Sequence, residues 1–276
     1  MENLDFTTPA REILYDPAVA RGCFESLGSP DSVPEGHAFF SENQASDRMY
    51  LLLEGEVRVL RGGKPLDIIK AGEIFGEMAA ITGERRTASA IAKSACRALS
   101  LDAQQFERAI ETAPEFALML MGILINRLRL MDAILDRTGR RTEQSARDGS
   151  RVFDKALLDE LAGALKQRSP QAFRAGHTIM KEGDKGGFMY VVYAGSVAVS
   201  IKSKIVEKIG PGGVFGEMAL FDQSRRAASA TAETDSSLMP INRGDFLALV
   251  KSKPSFGVAL LGALARRLGQ MTAQKS

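Results

Sequence analysis

The chain has no tryptophan, two cysteines and two histidines among its 276 residues. Cys23 and Cys96 show no metal-ligand spacing and are too few for the disulfide framework of a small secreted domain, which points to a reducing compartment. There is no Walker sequence, no HExxH and no paired-cysteine site, so the common hydrolase and metalloenzyme signatures are missing. The longest apolar run, Phe116 to Ile125, falls far short of the roughly 20 residues a membrane span requires. The opening MENLDFTTPAREIL is acidic and amphipathic, unlike a basic segment followed by an apolar core. The expectation is a cytoplasmic protein without a membrane span. Charge is nearly balanced, 36 Lys and Arg against 34 Asp and Glu, and the formal net charge of +2 announces neither a nucleic-acid nor a lipid surface. Any basic function must be local.

What the chain does have is repetition. With 45% apolar residues, its length suits two domains of ordinary size. Gly36-His37 recurs as Gly176-His177, Met49-Tyr50 as Met189-Tyr190, Gly76-Glu77 as Gly216-Glu217, Arg85-Arg86 as Arg225-Arg226, and Pro114 as Pro254. Every offset is 140, and from Gly36–Leu128 onto Gly176–Leu268, 30 of 93 ungapped pairs are identical. The protein is two copies of one module. The expected division is a first domain over 1–137, a linker over 138–150, and a second domain over 151–276.

Within each copy the hydrophobic period changes twice. A helix is expected over Ala10–Ser26, broken by Pro17 and ended by Gly28-Ser29-Pro30, with a matching prelude over Arg151–Lys166. Short β-rich runs follow, among them Met49–Leu53, Val57–Leu60 and Leu66–Ile69, and suggest an antiparallel sandwich or small barrel. After Leu101 the helical period returns, with one helix from Asp102 to about Glu111 and a longer one from Pro114 to about Arg137. Phe116, Leu120, Leu124, Leu128, Met131 and Leu135 form a stripe on it, flanked by Met121, Ile125 and Ile134. Such a face packs on its own sandwich, or also on another helix in this chain or a partner. The segment Arg137–Arg151, polar with five arginines against two acids, reads as a solvated connector or a basic strip for an acidic partner.

The duplicated turn carries the chemistry. FGEMAAITGERRTASA, Phe75 to Ala90, reappears as FGEMALFDQSRRAASA, Phe215 to Ala230. In the second copy the chain leaves a strand at Phe215, turns at Gly216, and opens a short helical turn over Met218–Phe221 whose unpaired N–H groups suit an anion. Glu217 can accept two ribose hydroxyl hydrogens, and Arg226, expected at the start of the next strand, offers a fork of donors that fits a phosphate. The competing reading has Glu217 and Arg226 pair with each other, or leaves Arg225-Arg226 in a solvated loop. Duplication weakens it, because Gly76, Glu77, Met78, Ala79, Arg85, Arg86, Ala88, Ser89 and Ala90 all recur while ITGE has drifted to FDQS.

These two stretches resemble the phosphate-binding cassette of cyclic nucleotide-binding domains, the module of catabolite activator proteins, kinase regulatory subunits and cyclic-nucleotide-gated channels. The resemblance covers both copies and implies an α+β fold of two repeated β-roll, jelly-roll-like sandwiches, each flanked by N- and C-terminal helices. It implies a 3′,5′-cyclic nucleotide ligand, cAMP with cGMP as a second candidate, and no cofactor. Glu77 and Glu217 would bind the ribose 2′-hydroxyl, with Gly76 and Gly216 beside it. Arg86 and Arg226 would meet the phosphate, and the N–H groups of Ala79 with Thr87, and of Ala219 with Ala227, would complete each pocket. Met78 and Met218 belong to the same turns, and Arg127 and Arg267 fall where channel-type members place an arginine over the base.

This chain departs from the family pattern at a few places. Arg85 and Arg225 replace a proline common before the phosphate arginine, as in channel-type members, and Ala80 is smaller than Leu220. The lack of tryptophan excludes a tryptophan lid. Thr87 against Ala227 distinguishes the copies, and a threonine there resembles sites that accept cGMP, so the first site is expected to take both nucleotides and the second to prefer cAMP. The chain shows no helix-turn-helix, so no DNA-binding domain is expected, and no inhibitor sequence for a kinase. His37 and His177 are equivalent and read as structural. The expected output is non-enzymatic. Ligand closes the helices Asp245–Val250 and Ser255–Gln270 over the base, couples the two sites, and signals to an unidentified protein effector. A homodimer through the helix Glu115–Arg137 and a ligand-blind scaffold are the alternatives.

Overall fold

Short β-rich runs punctuated by turn residues become paired strands in each copy of the repeat. The computed structural model describes residues 15–137, 147–148, 152–165, 170–220 and 225–275. Most of the expected linker lies outside them, as do residues 10–14 of the expected first helix, the drifted loop at 221–224, and the side chains of Met131, Ile134 and Leu135. Two compact units emerge, one consisting mainly of the described residues up to Asn126 and the other mainly of those within Arg127–Ala263.

The first copy has eight strands: β1 (Ser29–Val33), β2 (Ala38–Phe40), β3 (Met49–Glu54), β4 (Glu56–Arg61), β5 (Lys64–Lys70), β6 (Ile74–Phe75), β7 (Ser89–Ala92) and β8 (Cys96–Leu101). They pair antiparallel into two sheets, ordered β1-β8-β3-β6 and β2-β7-β4-β5. Buried side chains from both sheets, among them Tyr50, Leu52, Phe75 and Ala98 from one and Phe40, Val57, Ile69 and Ala90 from the other, fill one core. Tyr50 stacks on Phe75 at 5.2 Å between ring centroids. This is a sandwich, which decides between the two architectures that strand spacing alone left open.

The second copy repeats the plan. A two-residue strand β9 (Arg147–Asp148) precedes β10 (Gln171–Phe173), β11 (Thr178–Met180), β12 (Met189–Ala194), β13 (Val197–Ile201), β14 (Lys204–Ile209), β15 (Val214–Phe215), β16 (Ser229–Ala232) and β17 (Ser236–Ile241). The sheets run β10-β17-β12-β15 and β11-β16-β13-β14-β9, with β9 parallel to β14. Even the irregularities recur. The register of β3 on β8 shifts between Leu52 and Glu54, and that of β12 on β17 between Val192 and Ala194. A bulge at the same place in both copies belongs to the fold.

Helices flank each sandwich. The first spans Pro17–Leu27, with Asp16 accepting from the N–H groups of Ala18 and Val19. Pro17 therefore starts this helix where a break was expected, because a first-turn residue needs no N–H partner. Tyr15, outside it, donates its hydroxyl hydrogen to the Gly72 carbonyl, and in the second copy Val152 and Phe153 donate N–H groups to the equivalent Gly212. The second prelude helix is shorter than expected, Lys155–Ala164.

After each sandwich comes the same elbow. Asp102 and Gln105 close a capping box on helix Ala103–Thr112, and Asn242 and Asp245 do so on Arg243–Ser252. Pro114 and Pro254 open the longer helices Pro114–Arg137 and Pro254–Lys275, with bends of 112° and 114° at the junctions. No single described helix is long and apolar enough to cross a membrane. Phe116 is fully buried, its ring edge-on to Phe24 at 6.0 Å and to Phe106 at 6.3 Å. In the second copy Phe256 meets Phe153 at 5.1 Å and Phe246 at 5.8 Å. Phe116→Ala should cost about 3–5 kcal/mol through lost burial and a cavity, read as a lower urea midpoint for the first copy.

Candidate functional site

Strand β6 ends at Phe75 and the chain reverses on Gly76, whose φ of 74° and ψ of 8° lie in the left-handed region. Helix Glu77–Thr82 follows directly. A Cβ at Gly76 would lie 2.9 Å from Arg86 Nη1 and 3.0 Å from the Phe40 ring, so both backbone conformation and space require glycine here. The second copy turns the same way at Gly216, φ 73°, but continues as a 3₁₀ turn over Glu217–Leu220. Within that turn the Ala219 N–H donates to the Gly216 carbonyl at 3.1 Å. It is thus engaged in local structure.

The arginines arrive ahead of their strands, since β7 begins at Ser89 and β16 at Ser229. This differs from the expected placement at a strand start. Their backbones are clamped by the loop between the second and third strands of each sandwich. Asn43 N–H donates to the Arg86 carbonyl at 2.8 Å and Arg86 N–H to Gln44 at 2.9 Å; Gly183 and Asp184 make the same exchange with Arg226, each at 2.8 Å. The neighbours Arg85 and Arg225 brace the loop from outside, each donating Nη1 to a carbonyl, of Asn43 and Gly183, at 2.8 Å.

Both guanidinium groups point inward. Arg86 is 2% exposed; its Nη1 donates to Gly76 O at 2.7 Å, and its Nη2 to Ser46 Oγ and Arg48 O, both at 2.6 Å. The Phe40 ring lies 3.8 Å from its Cζ, a cation–π contact. Arg226 is 9% exposed, with Nη1 on Gly216 O at 3.1 Å and Nη2 on Phe188 O at 2.8 Å. These side-chain donors go to carbonyls and one hydroxyl.

Burial sets the electrostatics of both arginines. Burial pushes the Arg86 guanidinium below its ordinary pKa, opposed by Tyr50, Glu77 and Asp47. Burial likewise lowers Arg226, opposed by Tyr190 and Glu217. An arginine keeps its proton regardless, so the burial cost is offset by the acceptors and carboxylates around each guanidinium. Glu77, 3% exposed, and the half-buried Glu217 supply carboxylate acceptors at the same turns. One Arg86 donor, Nε–H, is buried and has no partner among the described residues.

The turn residues expected at the site, Gly76, Glu77, Met78 and Ala79 with Arg86, and Gly216, Glu217, Met218 and Ala219 with Arg226, are brought together in each copy. Thr87 and Ala227 follow the arginines and are exposed. Arg127 and Arg267 lie half-buried on the long helices, elements separate from the turns. Phe40 and Ser46 escaped sequence reasoning. Their signal was a difference between the copies, since Met180 and Gly186 stand at those positions. Among the described residues no group of three or more His, Cys, Asp or Glu could hold a metal ion.

Comparison with known proteins agrees with this architecture. The model of the cyclic nucleotide-binding domain matches twice, over residues 30–113 and 170–253, more than half of the chain. The chain belongs to the cyclic nucleotide-binding domain family and carries two such domains in tandem. It is 34% identical over 125 residues to the cyclic AMP receptor protein of Thermus thermophilus, covering 44% of this chain and 58% of that protein. To the cAMP-dependent protein kinase regulatory subunit of Dictyostelium discoideum it is 27% identical over 210 residues, 71% of this chain and 58% of that one. The chain therefore spans little more than half the length of these relatives. The crystal structure of the Thermus thermophilus catabolite activator protein is 27% identical, covers 58% of this chain and 72% of its own, and superposes with a TM-score of 0.42.

Gly76→Ala should destabilise the first copy by about 1–2 kcal/mol, the cost of forcing an L-residue into the left-handed region, beyond any displacement of Arg86. Chemical denaturation of this variant beside wild type measures it.

Proposed function

We propose that this protein is a regulatory cyclic nucleotide sensor that binds cAMP at two sites, accepts cGMP at the first, and passes the signal to a protein effector through its flanking helices. One observation carries the reading: a buried arginine and a glutamate meet at the same glycine turn, twice in one chain. The arginine offers charge-assisted hydrogen bonds to a cyclic phosphate, and the glutamate accepts from a ribose hydroxyl. The paired glutamate and arginine of each turn suit binding rather than phosphodiester hydrolysis, which needs a base positioned on a nucleophile. Membership of the cyclic nucleotide-binding family supports the ligand class.

The ligand is assigned to both copies because both keep the pair. Helices Ala103–Thr112 and Arg243–Ser252, followed by the elbows, are the elements whose rearrangement would alter the surface shown to an effector.

Thermal melts with cAMP, cGMP and 5′-AMP test the ligand. The cyclic nucleotides should raise the melting temperature by mass action, with stabilisation of about 2.7 kcal/mol at a hundred times Kd, while 5′-AMP should not. No shift with either cyclic nucleotide would sink the reading and favour a ligand-blind scaffold. Calorimetry should find two cAMP per chain in wild type and one in each of Arg86→Leu and Arg226→Leu. Two lost charge-assisted bonds of about 1.5 kcal/mol or more each weaken the mutated site at least about a hundredfold. Base preference is read in the same variants. The site beside Thr87, isolated in Arg226→Leu, should discriminate against cGMP less than the site beside Ala227, by about tenfold at most. Equal cGMP affinities would remove that distinction.

A further inference from the structure

The two arginines are held differently, and the difference lies in how many of their hydrogens the protein itself engages. A guanidinium has five N–H donors, one on Nε and two on each Nη. Its bidentate grip on a phosphate uses either the edge formed by the two Nη atoms or the edge formed by Nε and the Nη on its side, which is Nη2. Both edges draw on an Nη2 hydrogen.

In the first copy Arg86 Nη2 spends both hydrogens within the protein, on Ser46 Oγ and Arg48 O, each at 2.6 Å. Its buried Nε–H, with no partner among the described residues, is left without an adjacent donor to form a fork. In the second copy Arg226 Nη2 donates only to Phe188 O among the described residues, so it keeps one hydrogen. The position of Ser46 is Gly186 there, and a Cβ on Gly186 would lie 2.2 Å from Arg226 Nε and 2.3 Å from Nη2. The second guanidinium occupies space that a side chain would fill. Phe40, whose face covers Arg86, is replaced by Met180, which offers no ring.

We propose that Ser46 is an affinity-setting residue of the first site, which holds Arg86 in a closed grip that a cyclic phosphate must break, so that this site binds more weakly than the second. The proposal rests on the nucleotide reading above. Ser46 competes with the ligand for one donor, and Phe40 adds to the stability of the closed posture. The second site, without either, presents its fork at no such cost. Two pockets with the same glycine, glutamate and arginine would thereby fill at different nucleotide concentrations.

Calorimetry with cAMP on chains retaining one site tests this. In the Arg226→Leu background, Ser46→Ala should tighten first-site binding about tenfold or more, the value of one hydrogen bond to a charged donor. Ser46→Thr, which returns the hydroxyl, should restore the parent affinity. In the Arg86→Leu background, Ser46→Ala should leave the second site as it was. Binding that is unchanged or weaker in Arg226→Leu/Ser46→Ala, with unfolding midpoints equal, would overturn the proposal while leaving the nucleotide reading intact. If cAMP and cGMP bind neither site, the nucleotide reading fails and the affinity claim with it. The grip itself is then judged by NMR of the ligand-free protein: separate Arg86 Nη resonances that coalesce in Ser46→Ala support it, and identical spectra refute it.

Discussion

A cation removed from water must be given acceptors, and each half of this protein is arranged around one such cation. Taking a guanidinium out of solvent costs several kcal/mol unless its donors are met. Arg86 meets that cost with the carbonyls of Gly76 and Arg48, contributed by a turn and a loop far apart in sequence. Those bonds fix three stretches at once: the reversal after β6, the loop before β3, and the approach to β7. The left-handed Gly76 is part of the same constraint, since a side chain there would strike the guanidinium. The cation is thereby buried and largely satisfied, and its Nε–H still lacks a partner among the described residues.

The sandwich exists to hold these pieces in register. Two sheets close over one apolar core in each copy, four-stranded in the first and four- and five-stranded in the second, and their bulges recur at equivalent residues. Strand pairing sets where β6 stops, and therefore where the turn begins. The elbow after each sandwich is likewise set by local rules, a capping box followed by proline. Phenylalanines 116 and 256 then anchor the long helices by burial in aromatic clusters. Local chemistry starts the elements, and apolar burial sets their packing.

Duplication gives the molecule its own internal control. The glycine, the glutamate and the arginine of the turn are among the positions that stayed the same in both copies. Positions that changed, Phe40 to Met180 and Ser46 to Gly186, sit against the guanidinium and change its contacts. The two copies therefore share a turn while differing in what packs on its arginine.

Much of this was legible before any coordinates. The offset of 140 exposed the two modules, the paired turns exposed the residues that converge, and Asp102 and Pro114 marked helix starts within a residue of where they fall. These readings succeed because repetition, capping and proline act locally. Pro17 misled because the same missing N–H that breaks a helix interior is harmless in a first turn, and only the position of Asp16 tells which applies. The choice between sandwich and barrel, the inward posture of Arg86 and Arg226, and the contacts of Ser46 and Phe40 belong to the tertiary structure alone. They depend on which loop lies beside which turn, and strand pairing across dozens of residues decides that. By itself the sequence determined the duplicated glycine turn and its arginine, because repetition is local; the fold decided which loop and ring meet that arginine and which of its hydrogens are already spent.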